Sequence, residues 1–109
     1  MSAKTIWFIT GVSSGFGLEL ALYALRAGDM VYGTVRSRER ATFAVTRIEW
    51  AGGKCVVLDV TIPESIPAVV QGVLEKEGRI DVLVNNAGWA AMAVFEDSTY
   101  GFFKKLRRW

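Results

Sequence analysis

Apolar and polar positions alternate along the chain in blocks that predict strands and helices in turn. The first block, Thr5–Thr10, is apolar on both faces and rich in β-branched and aromatic residues, which is typical of a strand buried in a parallel sheet. The next block, Leu18–Ala27, repeats apolar residues at helical spacing and is followed by Gly28, which predicts an amphipathic helix that ends there.

The same alternation continues through the rest of the chain. Further strands are predicted at Met30–Val35, Cys55–Asp59 and Ile80–Val84. Further helices are predicted from Arg38 to about Ala51 and from Pro63 to about Lys76. Because strands and helices that alternate with short connections build parallel sheets with helices on both faces, the sequence predicts an α/β fold with a doubly wound parallel sheet.

Composition restricts the chemistry that this fold can support. The chain has 109 residues, of which 51% are apolar, so it suffices for one domain with a core. It contains no His and one Cys, which excludes His-based nucleophile systems, an internal disulfide and any His or multi-Cys metal site. We therefore predict no metal site and a reducing, cytoplasmic location. Trp7, Trp50 and Cys55 are predicted to be packing residues.

Charge and hydropathy exclude further classes of protein. The formal net charge is +2, and the surplus is local, because four cationic side chains lie within residues 104–108. No basic domain for nucleic acid is therefore expected. The uncharged runs are short or broken by Gly, Ser and Asn, so neither a signal peptide nor a membrane-spanning helix is predicted.

A glycine-rich turn, GVSSGFG at residues 11–17, joins the first strand to the first helix. In this position glycines permit a tight turn, a close approach of the backbone to a diphosphate, and close packing of helix on strand. The helix N-terminus offers N–H groups to the phosphates, and Ser13 and Ser14 add hydroxyl donors. A glycine-rich turn without a ligand is the alternative, since such turns are common.

Three motifs in order make the chain resemble the short-chain dehydrogenase/reductase family. Thr10–Gly17 (TGVSSGFG) resembles the Thr-Gly-x-x-x-Gly-x-Gly cofactor turn of that family. Asp59-Val60 is similar to the acidic position on its adenine side, and Asn85–Gly88 (NNAG) is similar to its Asn-Asn-Ala-Gly motif. The resemblance covers about residues 4–98. It implies a Rossmann-like sheet truncated to about four strands in the order 3-2-1-4, within a single partial dinucleotide-binding domain, residues 1–109.

The resemblance also implies which residues contact the cofactor. The diphosphate would lie against the glycine turn, which comprises Gly11, Val12, Ser13, Ser14, Gly15, Phe16 and Gly17. Asp59 would bind the adenine amino group and Val60 would contact the ring, while Asn86, Ala87 and Gly88 would pass beside the adenosine ribose. Two structural alternatives stay open: Asp59 at the strand end as a cap for the next helix, and Asn85 and Asn86 as ties between backbone segments.

The end of the second strand is where the two nicotinamide cofactors are distinguished, an acid favouring NAD(H) and a base favouring NADP(H). No acid occurs there before Glu39, and Arg36 stands about 20 residues after the glycine turn. A guanidinium binds phosphate bidentately. We therefore predict NADP(H) over NAD(H), with Arg36 as the main contact and Ser37 or Arg38 assisting. The alternative is that Arg36 and Arg38 begin a solvated helix face.

In this family the proton is moved by a Tyr and a Lys four residues apart, with a Ser, all several dozen residues beyond the Asn-Asn-Ala-Gly turn. The pair Tyr100 and Lys104 has that spacing but comes too early, so no catalytic residue is assigned. The resemblance implies the cofactor-binding half of an NADP(H)-dependent oxidoreductase acting on a small carbonyl or alcohol. This chain alone is predicted inactive. The alternatives are a non-catalytic NADP(H)-binding or interaction module, or a degenerate remnant.

Two features concern contacts with other molecules. The apolar strand Ile80–Val84 would form an open sheet edge, which predicts self-association of the chain. The segment after Thr99, YGFFKKLRRW, places aromatic and apolar residues at helical spacing between basic ones. It is either a basic amphipathic helix that touches a membrane or a partner, or the altered beginning of a fourth helix.

Overall fold

The predicted strands and helices are all present in the predicted order. The computed structural model describes residues 4–59, 61–62 and 64–86. The strands are β1 (Ile6–Ile9), β2 (Met30–Val35), β3 (Lys54–Val57) and β4 (Val82–Val84). The helices are α1 (Gly15–Arg26), α2 (Thr42–Trp50) and α3 (Ser65–Glu77).

The four strands form one parallel sheet in the order β3-β2-β1-β4. In this register Phe8 lies between Tyr32 and Leu83. The predicted α/β fold and the predicted strand order are therefore confirmed. Parallel pairing brings the carboxyl ends of the strands to one edge of the sheet, which is where ligands bind in open α/β sheets.

Both faces of the sheet are covered, so the fold is doubly wound. On one face, α1 and α2 pack through apolar side chains such as Leu22 and Ile48 against Val31. On the other face, α3 packs through residues such as Val70 against Phe8 and other apolar side chains of the sheet. The apolar residues predicted on one side of α1, namely Leu18, Ala21, Leu22 and Leu25, are all buried. No helix in the described ranges is long and apolar enough to cross a membrane.

All three helices begin at residues other than those predicted, and α3 begins at Ser65, two residues after the expected start. Helix α1 begins at Gly15, three residues before the expected Leu18, so the end of the glycine turn is the first turn of the helix. Helix α2 begins at Thr42 instead of Arg38. The chain first makes a turn in which the Ala41 N–H donates to the Ser37 carbonyl at 3.1 Å. This turn decides which arginines face the edge of the sheet.

The packing roles predicted for Trp7 and Cys55 agree with the structure, and the role predicted for Trp50 is wrong. Trp7 packs against the core, and its indole Nε1–H donates to Asp29 Oδ2 at 3.0 Å. Cys55 is buried, and burial raises the pKa of its thiol to about 11. Trp50 is 91% exposed, because the inward face of α2 is already filled by Ala44, Val45 and Ile48.

Tyr32 makes the stability of this fold depend on pH in the alkaline range. Its hydroxyl donates to Glu77 Oε2 at 2.7 Å, and burial, followed by this contact with Glu77, raises the pKa of Tyr32 to about 12. The unfolded phenol titrates near 10, so the contribution is complete below about pH 10 and is lost as pH rises towards about 12. Tyr32→Phe should cost about 1 kcal/mol at neutral pH through the lost hydrogen bond.

Urea unfolding of the wild type and Tyr32→Phe between pH 8 and pH 12 checks this expectation. The two unfolding free energies should converge above about pH 10, because only the wild type loses the Tyr32 contribution there. Titration of Cys55 is common to both proteins and cancels in the difference. A difference that stays constant through this range would contradict the assignment to Tyr32.

Candidate functional site

A cleft of about 610 Å³ lies at the carboxyl ends of the strands. Its walls come from the glycine turn after β1, the segment after β2 and the segment after β3. The lining residues are Gly11, Ser13, Thr34, Val35, Arg36, Ser37, Arg40, Ala41, Leu58, Asp59 and Thr61. The glycine turn, predicted to bind the diphosphate, and the segment after β2, predicted to distinguish the two cofactors, thus border one cavity.

Hydrogen bonds to β2 hold the start of the glycine turn in place. The Gly11 N–H donates to Thr34 Oγ1 at 3.1 Å, and the Val12 N–H donates to the Thr34 carbonyl at 3.0 Å. The Val12 side chain is fully buried and lies over Gly33, where an added Cβ would be 2.6 Å from Val12 Cγ2. Val12 therefore belongs to the core beneath the cleft, so its side chain shapes the turn without facing a ligand.

Gly17 allows the end of the turn to come very close to its beginning. A Cβ on Gly17 would lie 2.2 Å from the Gly11 carbonyl oxygen and 2.6 Å from Asn86 Nδ2. Asn86 Nδ2 in turn donates to the Gly11 carbonyl at 2.8 Å. The turn, the start of α1 and the end of β4 are therefore joined at one point.

The remaining residues of the turn lie at the start of α1. Ser14 is the N-cap residue, with extended backbone and no capping bond from its side chain, and Gly15 has φ +60°. Ser13, Ser14, Gly15 and Phe16 are exposed there. The first N–H groups of a helix have no partner within the helix, and its dipole places positive charge at this end. The geometry therefore suits an anion beside the turn.

Cationic side chains line the part of the cleft that follows β2. Arg36 is 77% exposed, and its Nη2 lies 3.6 Å from Asp59 Oδ2. Ser37 Oγ donates to Glu39 Oε1 at 3.2 Å and accepts from the Arg40 N–H at 3.3 Å. This turn brings Arg40 into the lining of the cleft beside Arg36. Sequence reasoning missed Arg40, because it placed this residue within a helix that in fact begins two residues later.

Arg38, which the sequence interpretation expected to assist, instead connects α2 to β3. Its Nη1 and Nη2 each lie 3.1 Å from a carboxylate oxygen of Glu49, and Nη1 also donates to the Cys55 carbonyl at 3.1 Å. The hydrogen bond from Arg38 lowers the pKa of Glu49. Arg38 is absent from the lining of the cleft, whereas Ser37, the other residue expected to assist, is part of it, so assistance by Ser37 stays a prediction.

Asp59 is the carboxylate that lines the cleft. Its Oδ1 accepts hydrogen bonds from the Thr61 hydroxyl at 2.6 Å and the Thr61 N–H at 2.9 Å, and these bonds, with a smaller contribution from Arg36, lower its pKa. Asp59 therefore stabilises the turn after β3, while helix α3 has Glu64 as its N-cap, without a side-chain capping bond. Asp59 thus does not cap the next helix, contrary to the structural alternative, and its predicted contact with adenine stays a prediction. Val60 lies outside the described residues.

Of the two asparagines after β4, the second connects backbone segments, as the structural alternative proposed, and the first contacts a side chain. Besides the bond from Asn86 to Gly11, Asn85 Oδ1 lies 3.4 Å from Thr10 Oγ1. The role of Asn86 beside the ribose stays a prediction. Ala87 and Gly88 lie outside the described residues, as does the segment with Tyr100 and Lys104.

Comparisons with known proteins bear on what this site belongs to. The sequence profile described as short chain dehydrogenase matches residues 5–106. The chain is 46% identical over 92 residues to oxidoreductase BOA17 of Botryotinia fuckeliana, a match over 84% of this chain and 34% of that protein. It covers 32–38% of three further curated relatives, so it spans about a third of their length.

Solved structures give the same result for the fold. A short-chain dehydrogenase from Streptomyces avermitilis superimposes with a TM-score of 0.70 and 35% identity, over 97% of this chain and 44% of that one. A metagenomic short-chain oxidoreductase in complex with NADP superimposes with a TM-score of 0.73 and 27% identity, over 95% of this chain and 55% of that one.

Proposed function

We propose a function that starts from one fact: the chain belongs to the short-chain dehydrogenase/reductase family. In this proposal it is the cofactor-binding part of an NADP(H)-dependent oxidoreductase acting on a small carbonyl or alcohol. Membership of this family supports an oxidoreductase type that uses a nicotinamide dinucleotide. The preference for NADP(H) and the class of substrate are our proposals.

The glycine turn suits the diphosphate of such a cofactor. Its backbone is fixed from below by Thr34 and Val12, and the close approach at Gly17 leaves the start of α1 at the cleft. A diphosphate there would accept hydrogen bonds from backbone N–H groups at the positive end of the helix dipole. Ser13 would add a hydroxyl donor from the lining of the cleft.

The observation that supports NADP(H) is the pair of arginines, Arg36 and Arg40, in the lining of the cleft. Hydrogen bonds to a charged group contribute about 1.5–3 kcal/mol each. To reach a 2′-phosphate, Arg36 would give up its exposed ion pair with Asp59, and such a pair is worth about 0–1 kcal/mol. The exchange favours the phosphate. NAD(H) has no phosphate at this position and would gain nothing from either arginine.

The nicotinamide supplies or accepts the hydride when the cofactor is bound. The described residues that line the cleft would bind and orient the cofactor, since none of these eleven is a Tyr or a Lys that would move the proton. We therefore expect the purified chain to bind cofactor without turning over a carbonyl substrate. A non-catalytic cofactor-binding module is the second candidate, favoured by the same lining.

Two further expectations from the sequence stay predictions. Self-association would use β4, which is an edge strand of the described sheet. The backbone groups along its outer side have no partner strand within that sheet and could pair with a second copy of the chain. Light scattering at high concentration measures it directly, and a monodisperse monomer would contradict it. A cytoplasmic location rests on the single thiol alone.

Calorimetric titration of the 109-residue chain with NADPH and with NADH tests the proposed function. We expect NADPH to bind at least tenfold more tightly, since one charge-assisted hydrogen bond of about 1.5 kcal/mol corresponds to about tenfold. Adenosine 2′,5′-bisphosphate should compete with NADPH, and adenosine 5′-monophosphate should compete weakly. A folded chain that binds neither cofactor would refute the proposal, and equal affinities would refute the NADP(H) preference. Turnover by this chain would refute its predicted inactivity.

A further inference from the structure

A groove of about 260 Å³ runs between α1 and α2 on the outer side of the molecule, away from the cofactor cleft. Its lining residues are Leu22, Arg26, Thr46, Arg47, Trp50 and Ala51. We call it the α1–α2 groove. None of the residues after β1, β2 or β3 that border the cofactor cleft lines it, so the two are separate surfaces.

Trp50 gives this groove an apolar wall that the fold does not need. The inward side of α2 is complete without it, and the indole is 91% exposed. Phe43, two turns earlier on the same helix, is 67% exposed. Since burying an aromatic side chain gains about 1.5–3 kcal/mol, the exposed pair represents binding energy that folding leaves unused.

Cationic side chains flank the apolar part of the groove. Arg47 lies over the Phe43 ring, with its guanidinium carbon 5.4 Å from the ring centroid. Arg26 lies across the groove on the last turn of α1. Within the described residues neither arginine forms an ion pair, and Glu49, the carboxylate on the same helix, is paired with Arg38. No lining residue is acidic, so the groove carries uncompensated positive charge.

Trp and Arg beside an apolar pocket are the residues that most often dominate protein interfaces. From this combination we propose that the α1–α2 groove binds a segment of a partner protein that places an apolar side chain against Trp50 and carboxylates against Arg26 and Arg47. This proposal does not depend on the proposed oxidoreductase function.

Charge complementarity distinguishes this occupant from the others. In a symmetric dimer the same patch would face itself and bring arginines together. The chain's own segment around Lys104 and Arg108 is basic and would be repelled. An anionic membrane gains only about 1 kcal/mol per cationic side chain near its surface, and the groove is concave where a membrane anchor presents a convex apolar face. An acidic protein segment avoids the charge repulsion of the first two occupants, and it can enter a concave groove.

The test uses two fluorescently labelled amphipathic peptides with the same Leu and Phe positions, one with Glu and one with Lys at its other positions. Anisotropy titrations with the 109-residue chain at low salt should show the Glu peptide binding at least tenfold more tightly. Arg26→Gln with Arg47→Gln should erase this preference, and Arg26→Glu with Arg47→Glu should reverse it. Trp50→Ala should weaken the Glu peptide at least tenfold.

Lys54→Gln with Lys76→Gln is the matched control, because it removes the same charge from exposed lysines outside the groove and should leave the preference intact. Circular dichroism melting confirms that each variant is folded. The proposal is overturned if neither peptide binds, if both bind equally, or if the control erases the preference as well. It is also overturned if Trp50→Ala abolishes self-association of the chain. A further contrary result is that the wild type binds phosphatidylserine vesicles more tightly than the Glu peptide and that Trp50→Ala abolishes this vesicle binding.

Discussion

Replacing Gly17 by alanine should lower the free energy of unfolding by about 3 kcal/mol, at the upper end of what overpacking costs. The new Cβ would lie 2.2 Å from the Gly11 carbonyl oxygen, which is a backbone atom and cannot rotate away as a side chain would. Gly11 itself is held through its N–H by Thr34 and through its carbonyl by Asn86. Relief therefore requires that the turn, the end of β4 or the start of α1 move as a whole.

Gly72→Ala is the matched control for this substitution. Gly72 lies within α3, and a Cβ there would meet no atom within 4 Å. Alanine is favoured over glycine inside a helix by about 0.5–1 kcal/mol, so this variant should be more stable than the wild type. Urea unfolding followed by circular dichroism measures both. Equal midpoints for the two variants would show that the approach of Gly17 to Gly11 is not a constraint on the fold.

Arg36→Ala should weaken the binding of NADPH about tenfold to hundredfold and leave that of NADH nearly unchanged. The loss corresponds to one charge-assisted contact of about 1.5–3 kcal/mol. Arg36→Ala combined with Arg40→Ala should remove most of the discrimination between the cofactors, because both cations line the same part of the cleft. The preference of the wild type should also fall as ionic strength rises, since Arg36 is exposed.

Arg38→Ala is the matched control, because it removes an arginine two positions along that is paired with Glu49 outside the cleft. It should change both affinities alike, if at all, and lower stability slightly. Calorimetric titrations of the wild type and the variants with each cofactor give the comparison. The NADP(H) assignment fails if Arg36→Ala weakens both cofactors equally or weakens neither.

Hydrophobic patterning was sufficient for the alternation of strands and helices and for a parallel sheet, whereas the order of the strands was expected from the resemblance to the family. Blocks such as Met30–Val35 are buried along almost their whole length, and short connections leave few ways to arrange such strands. The positions of the glycine turn and of Asp59 at strand ends follow from the same patterning. Trp50 shows the limit of such patterning. The aromatic side chain was predicted to pack in the core, but smaller side chains already fill the inward face of α2.

The arginines after β2 show a different limit. Arg36, Arg38 and Arg40 alternate along the chain, and the sequence does not distinguish which of them face the cleft. The outcome depends on a turn capped by Ser37 and on Glu49, eleven residues beyond Arg38, which pairs with it. Such contacts are set by where α2 lies in three dimensions, and a local pattern does not contain that information.

The glycine turn is held by contacts with β2: Val12 packs on Gly33, and the N–H groups of Gly11 and Val12 donate to Thr34. These contacts cannot form until β2 is paired with β1. The chain must therefore close a loop of more than twenty residues before the phosphate-binding backbone acquires its shape. Amide hydrogen exchange at Gly11 and Val12 would accordingly follow the opening of β2, not the fraying of a surface loop. A ligand bound to this turn would shift the equilibrium towards the state in which β1 and β2 are paired, and would so protect them against local unfolding.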